Sequence, residues 1–137
     1  MIKKSLILTF LLLAQSLVLT EVHAAKTIKS CEVKKANNIS FSQCLDGVKD
    51  VVDRELQTWI NNQVFLLEEL ELTTGRSSAL VMFKRSQSNF ITFRENNCRW
   101  QYLALSPGTG AGPAYKKCYI NTTKSRIKEL SLLNIAN

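Results

Sequence analysis

Hydrophobic residues recur every three or four positions along most of this chain, which is the spacing of one face of an α-helix. The first such stretch begins after Ser40 or Ser42, either of which can cap a helix, and it continues to about residue 72. Gly75 follows and can take the left-handed conformation that ends a helix. The residues at this spacing are Leu45, Val48, Val52, Leu56, Trp59, Gln63, Leu67 and Leu70.

The rest of the pattern predicts two more helices. One is expected over residues 78–105, and its short connection to the first makes the two antiparallel neighbours. Residues 106–113 contain three glycines and two prolines and predict a loop, after which a third helix is expected over residues 114–133. Residues 25–40 are polar and predict an irregular arm. The predicted fold is all-α: a disulfide-stapled antiparallel helical hairpin with a third packed helix.

The N-terminus has the composition of an export signal. Two lysines precede an apolar run over residues 6–19, and a small-residue cleavage site follows at residues 22–24. The alternative is a membrane anchor, but polar residues at 15–16 interrupt the run, which is shorter than a membrane span. We therefore expect a signal peptide at residues 1–24, a single domain at residues 25–137, no stable membrane anchor, and a periplasmic or secreted product.

All four cysteines lie after residue 24. An even number of cysteines in an exported chain indicates two disulfides rather than a metal site. Cys98 and Cys118 lie at similar distances from the middle of the glycine-rich loop, so antiparallel helices would place them opposite each other. Cys31 would then pair with Cys44. Four cysteines allow three connectivities, and the sequence leaves the other two open.

Charge and histidine content exclude several functions. The chain carries +7, and loss of residues 1–24 leaves 16 basic and 10 acidic residues, or +6. His23 is the only histidine, so the mature chain has no Ser-His or Cys-His pair and no imidazole ligand. We expect no enzymatic activity, no catalytic residues, no metal and no cofactor. The basic charge favours anionic partners, whereas export and the lack of a basic-aromatic module argue against nucleic acid.

Polar residues interrupt the apolar face of the second predicted helix. Gln87 and Arg94 share a helical spacing with Phe83, Phe90 and Cys98, so aromatic, amide, guanidinium and thiol groups are expected on one face. A Cys-x4-Thr-x2-Arg series follows on the third predicted helix. This combination is unusual for a helix that packs into a hydrophobic core.

The pattern resembles the LprI-like family of small secreted helical proteins, some of which are associated with lysozyme inhibition. Its members carry Asp-x2-Leu on the first long helix, a Gln-aromatic-Arg-acid-Cys series on the second, and Cys-x4-Thr-x2-Arg on the third. Phe90 stands where tryptophan is common in the family. The matching residues, within about residues 44–130, are Asp53, Leu56, Gln87, Phe90, Phe93, Arg94, Glu95, Cys98, Cys118, Thr123 and Arg126.

Arg94 and Arg126 each interrupt an apolar stripe, and a buried guanidinium without a partner is strongly destabilising. Asp53 and Glu95 are the expected carboxylate partners. We therefore expect a structural polar network that fixes the register of the three helices, with Gln63 as a further contributor. Its predicted members are Asp53, Gln87, Arg94, Glu95, Thr123 and Arg126.

Because the signature consists of expected core residues, the binding surface is expected elsewhere. Glu68, Glu69 and Glu71 form an acidic cluster near the end of the first long helix and are the candidate binding residues, since many lysozymes are basic. The resemblance implies a periplasmic binding protein that inhibits lysozyme-type muramidases. The alternatives are an envelope stress or immunity protein that binds another secreted protein, and a structural protein that binds an anionic surface. The sequence leaves the oligomeric state unknown.

Overall fold

The computed structural model describes residues 27–133, which form four α-helices. We number them α1 (Ile28–Val33), α2 (Asn38–Thr74), α3 (Ser78–Leu105) and α4 (Ala111–Leu132). The described part of the chain contains no strand, so the predicted all-α class is confirmed. None of its helices is both long enough and apolar enough to cross a membrane. The expected signal peptide lies outside the described residues.

The expectation of an irregular arm is wrong for the described part of residues 25–40, because α1 and the start of α2 each have a capping box. The Thr27 hydroxyl accepts a hydrogen bond from the Ser30 N–H at 3.0 Å, and the Ser30 hydroxyl accepts one from the Thr27 N–H at 2.9 Å. Asn37 and Ser40 repeat this arrangement at 2.9 and 3.2 Å. Ser40 is therefore the partner of the α2 cap, and Asn37 is the cap itself.

The ends of the long helices follow local backbone chemistry. Gly75 ends α2 with φ of 70°, and its N–H donates to the Glu71 carbonyl at 2.7 Å. The bounds of α3 agree with the prediction. Helix α4 begins at Ala111, three residues before the predicted residue 114, and its first turn includes Gly112 and Pro113. Proline is tolerated there, since the first N–H groups of a helix have no intrahelical acceptor.

The core lies mainly between α2 and α4. Helix α4 packs against both long helices, and α2 and α3 contact each other less extensively. Full burial of one large aliphatic side chain contributes about 1.5–3 kcal/mol, so this seam dominates the packing energy. Phe83 and Phe90 of α3 are partly buried against it. The buried core residues are Cys31, Phe41, Leu45, Val48, Val52, Leu56, Ile120, Ile127 and Leu130.

Two disulfides join elements at the same end of the bundle. Cys31 is bonded to Cys44, with their Cα atoms 5.7 Å apart, which ties α1 to the start of α2. Cys98 is bonded to Cys118, with Cα atoms 5.4 Å apart, which ties α3 to α4. This is the local connectivity favoured by the sequence, and it excludes the other two pairings. At the opposite end, around Gly75, no disulfide joins the described helices.

Candidate functional site

Arg94 is the centre of a buried polar cluster to which three helices contribute. Its Nη1 atom donates a hydrogen bond to Thr123 Oγ1 of α4 at 3.0 Å and lies 3.6 Å from Asp53 Oδ1 of α2. The guanidinium carbon lies 3.8 Å from the centroid of the Tyr119 ring, within cation-π range. Only 6% of Arg94 is exposed. One guanidinium therefore joins α2, α3 and α4.

Asp53 receives hydrogen bonds from two further side chains. The Tyr119 hydroxyl donates to Asp53 Oδ1 at 2.9 Å, and Lys49 Nζ donates to Oδ2 at 3.1 Å. Burial and the hydrogen bond to Asp53 raise the pKa of Tyr119 above its ordinary value, so its hydroxyl remains a donor at pH values where a free tyrosine ionises. The oxygen atoms of Asp53 are thus committed to contacts within the fold.

The buried polar atoms of the core are not all paired. The Thr123 hydroxyl donates to the Tyr119 carbonyl at 2.8 Å, which leaves it free to accept from Arg94. Among the described residues, three buried side-chain atoms have no hydrogen-bond partner: Arg94 Nε, Gln87 Nε2 and Gln63 Oε1. A buried polar atom without a partner costs about 1–3 kcal/mol. The core therefore gives up some stability to accommodate these polar side chains.

Arg126 forms a second cluster between α3 and α4. Its Nη1 lies 2.7 Å from Glu129 Oε2, and its Nη2 donates to Ser86 Oγ at 3.0 Å. A longer contact of 3.4 Å joins its Nε to Gln87 Oε1. Gln63 of α2 contributes separately, since its Nε2 donates to the Leu130 carbonyl at 3.1 Å.

Glu95 does not pair with either arginine, so that part of the sequence expectation is wrong. Its Oε2 accepts a hydrogen bond from the Tyr115 hydroxyl at 2.6 Å. Burial and this hydrogen bond raise the pKa of Tyr115 to about 12. Tyr115 and Tyr119 were missed as contributors, although their four-residue spacing places both hydroxyls on one face of α4. That spacing is the signal from which they were predictable.

The acidic cluster lies apart from these contacts. Glu68 and Glu69 are exposed near the C-terminal end of α2, and Glu71 is half-buried. Within residues 27–133, none of the three carboxylates forms a salt bridge. They are near the Gly75 turn, at the end of the bundle opposite the disulfides. Two of the three side chains are thus free to meet a partner.

The carboxylates and cysteines of the buried clusters are engaged in contacts within the fold. Asp53 and Glu95 each accept from a separate tyrosine, and all four cysteines are in disulfides. In the part of the chain that the structure describes, no group of three His, Cys, Asp or Glu side chains is placed to hold a metal ion. The buried clusters instead join helices across their interfaces.

Comparison with known proteins identifies the family. The family model described as lysozyme inhibitor LprI matches residues 31–130, from Cys31 in α1 to Leu130 in α4. The chain therefore belongs to the lysozyme inhibitor LprI family. No curated protein and no solved structure matches it. The two disulfides and the family together indicate an extracytoplasmic location.

Proposed function

We propose that the protein is a periplasmic inhibitor of lysozyme-type muramidases. The observation that carries this proposal is the family match, which includes α2 and α3 completely and reaches into α1 and α4. The export signal expected at residues 1–24 would deliver the protein to the compartment where lysozyme attacks the cell wall. An inhibitor placed there protects the wall by occluding the enzyme.

The fold suits a binding protein. Tight binding requires a surface that loses little conformational freedom when the complex forms, because ordering mobile groups weakens affinity. Two disulfides hold one end of the bundle, and the Arg94 cluster connects three helices in its middle. We infer that the buried clusters act as scaffold and that lysozyme contacts side chains on the outside.

A role without catalysis is consistent with the arrangement of the carboxylates. A glycosidase needs two carboxyl groups in contrasting environments on either side of the scissile bond. Glu68 and Glu69 are adjacent and exposed on one helix, so they lack that contrast. Asp53 and Glu95 are each engaged by a tyrosine of α4.

The acidic cluster is our proposed lysozyme contact. Its exposed members, Glu68 and Glu69, lie beside the tight turn at Gly75, where a large partner meets little steric obstruction. Many lysozymes are basic, so complementary charge at this position would guide docking. The positive net charge of the inhibitor opposes approach at longer range, so the cluster has to act locally.

The test is an inhibition titration. Purified, oxidised protein comprising residues 25–137 is added to lysozyme acting on a peptidoglycan suspension, and clearing of the suspension is recorded. We expect inhibition that saturates near equimolar protein. An unrelated protein of equal net charge serves as the control for nonspecific binding to the anionic wall. Full lysozyme activity in the presence of a micromolar excess of the purified protein would contradict the proposal.

A further inference from the structure

Helix α3 carries two exposed aromatic rings on its outer face. Phe93 is 57% exposed and Trp100 is 59% exposed. They are seven residues apart, or about two helical turns, so they share one face. Gln87, Arg94 and Cys98 point the other way, into the bundle. Phe93 belongs to the family signature although it is exposed, and packing of the core does not explain its place in that signature.

The two rings border a shallow groove of about 550 Å³. None of its lining residues is charged, although the chain as a whole is strongly basic. The lining therefore combines aromatic carbon with neutral amide and hydroxyl groups, and it suits a neutral polar ligand better than an anion. The lining residues are Asn89, Thr92, Phe93, Asn96, Asn97 and Trp100.

One of the rings forms a hydrogen bond with a neighbouring side chain. The Trp100 indole Nε1 donates to Asn97 Oδ1 at 3.4 Å. The Asn97 amide nitrogen in turn lies 3.7 Å from Cys118 Sγ, in the disulfide with Cys98. The Trp100 side chain thus lies two residues from the disulfide that ties α3 to α4. A side chain whose motion is restricted before binding loses less entropy when a ligand stacks on it.

The polar groups between the rings are available to a ligand. Asn89 and Asn96 are exposed, and their side chains form no hydrogen bond within residues 27–133. Each carboxamide offers two donor hydrogens and one acceptor oxygen. The Thr92 hydroxyl donates to the Ser88 carbonyl at 3.2 Å and can still accept. The groove therefore provides both donors and acceptors beside two aromatic rings.

We propose that this groove binds an extended β-1,4-linked glycan of N-acetylated amino sugars. The C–H face of a pyranose ring packs on an aromatic ring, while hydroxyl and acetamido groups at the sugar edge bond to neighbouring amides. In a β-1,4 chain each sugar is turned over relative to the next, so the same face recurs every second sugar. The helical rise separates the Cα atoms of Phe93 and Trp100 by about 10 Å along the axis of α3, close to that disaccharide repeat.

Other occupants fit the groove less well. A stable protein interface uses roughly 20–30 residues on each side, so a protein partner would also have to cover exposed apolar side chains of α3 outside the groove, such as Met82 and Leu103. A second copy of the chain would also bury the Asn89 and Asn96 amides against groups that have to satisfy all their hydrogen bonds. Nucleic acid and acidic lipids call for cations, and the lining contains none.

The experiment uses the tetramer of N-acetylglucosamine as the probe. In a Trp59→Phe background Trp100 is the single tryptophan, so its fluorescence reports on the groove. We expect a saturable emission change at millimolar sugar. Two-dimensional amide NMR of the wild type repeats the titration without any substitution, and shifts are expected to concentrate in residues 89–100. No change by either method would overturn the proposal.

Variants and a second sugar test the recognition chemistry. Phe93→Ala and Trp100→Ala are each expected to weaken binding about tenfold or more, which corresponds to about 1.4 kcal/mol. Phe65→Ala is the matched control, because Phe65 is 60% exposed on α2, and it is expected to bind as wild type. The cellulose tetramer lacks acetamido groups and is expected to bind more weakly. Equal binding of both tetramers, or an equal loss in the control, would contradict the assignment.

Two further outcomes are diagnostic. A change in Trp100 emission that follows protein concentration in the absence of sugar would identify self-association and overturn the proposal. Glycan strands isolated from peptidoglycan distinguish that polymer from chitin-like glycans, and weaker binding than the tetramer would indicate a chitin-like source. No lysozyme is present in these titrations, so their result is independent of the inhibitor proposal.

Discussion

At the scale of single residues, the central feature is a guanidinium that contacts groups from two other helices. Arg94 belongs to α3, whereas its partner Asp53 belongs to α2 and Thr123 to α4. A substitution at any of the three therefore changes contacts between helices, and at Asp53 and Thr123 it also changes a contact within one helix. This explains how a short series of polar residues can determine the arrangement of a small helical bundle.

Asp53→Asn is expected to lower the free energy of unfolding by about 2 kcal/mol. The substitution leaves the buried Arg94 side chain, 8% exposed, without a carboxylate. Because Asp53 itself is one-third exposed, water screens part of the loss, and the effect falls below that of a fully buried pair. Urea unfolding followed by circular dichroism measures it.

Asp50→Asn is the matched control for this prediction. Asp50 is exposed on the same helix and forms no salt bridge within the described residues, so we expect a change below about 0.5 kcal/mol. Lysozyme inhibition by folded Asp53→Asn is expected to equal that of the wild type. Wild-type stability combined with lost inhibition would reassign Asp53 from the scaffold to the binding surface.

The raised pKa of Tyr115 predicts a loss of stability at high pH. Its pKa is about 12 in the folded protein against 10.0 ordinarily. Between these values the unfolded chain has released a proton that the folded chain retains. The contribution to stability is therefore complete below pH 10 and is lost as the pH rises towards 12.

Tyr115→Phe removes this titrating group, so its stability should fall less steeply than that of the wild type above pH 10. Urea unfolding at intervals between pH 9 and 11.5 gives the two slopes. Tyr102→Phe, at an exposed tyrosine on α3, should keep the wild-type slope. Parallel slopes for wild type and Tyr115→Phe would show that the Tyr115 hydrogen bond does not control this titration.

At the scale of helices, local sequence signals predicted some boundaries better than others. Gly75 marks the end of α2 because glycine can take the left-handed conformation without any contact with another helix. The limits of α3 follow from a long apolar periodicity. Helix α1 was missed because its six residues are too few to establish a period. Its start at Thr27 depends on a hydrogen-bonded pair with Ser30 rather than on apolar spacing.

Contacts between helices were harder to predict. Periodicity indicates which face of a helix is buried, but it does not give the axial shift between two helices. The shift between α3 and α4 determines which residue of α4 lies beside Glu95. Glu95 was expected to pair with an arginine, and in the structure it accepts a hydrogen bond from Tyr115. The ion pair between Arg126 and Glu129 lies within α4, and its three-residue spacing is a local signal that does not depend on the shift between helices. Phe93 belonged to the signature but lies outside the core.

The two disulfides are expected to have different effects when removed. They close segments of similar length, with separations of 13 and 20 residues, so chain entropy predicts comparable contributions of about 3 kcal/mol. Cys31–Cys44 holds only the short α1, whereas Cys98–Cys118 joins two long helices. Paired alanine substitutions at each disulfide separate the two cases.

Without Cys31–Cys44, we expect α1 to detach locally while α2, α3 and α4 keep their amide protection. Without Cys98–Cys118, we expect protection to fall throughout α3 and α4. Hydrogen exchange read by mass spectrometry distinguishes local from global opening. Loss of protection in all four helices of the first variant would mean that α1 is part of the cooperative core.

At the scale of the whole molecule, the two ends of the bundle differ. One end carries both disulfides, and the other carries the Gly75 turn and the acidic cluster. The mature chain is expected to carry +6, so under our proposal a basic lysozyme would be repelled at long range and attracted only near the carboxylates. Association should therefore depend on where the acidic residues lie and not on net charge alone.

Glu68→Lys combined with Glu69→Lys is expected to slow association with lysozyme about tenfold at low ionic strength, because it replaces the attractive contact by a repulsive one. The matched control is Asp50→Lys with Glu55→Lys, which makes the same charge change at exposed positions nearer the other end of α2. Stopped-flow measurements give the association rates. At high salt the difference should shrink, since screening shortens the reach of surface charges. Equal slowing by both pairs would assign the effect to net charge and remove the acidic cluster from the binding surface.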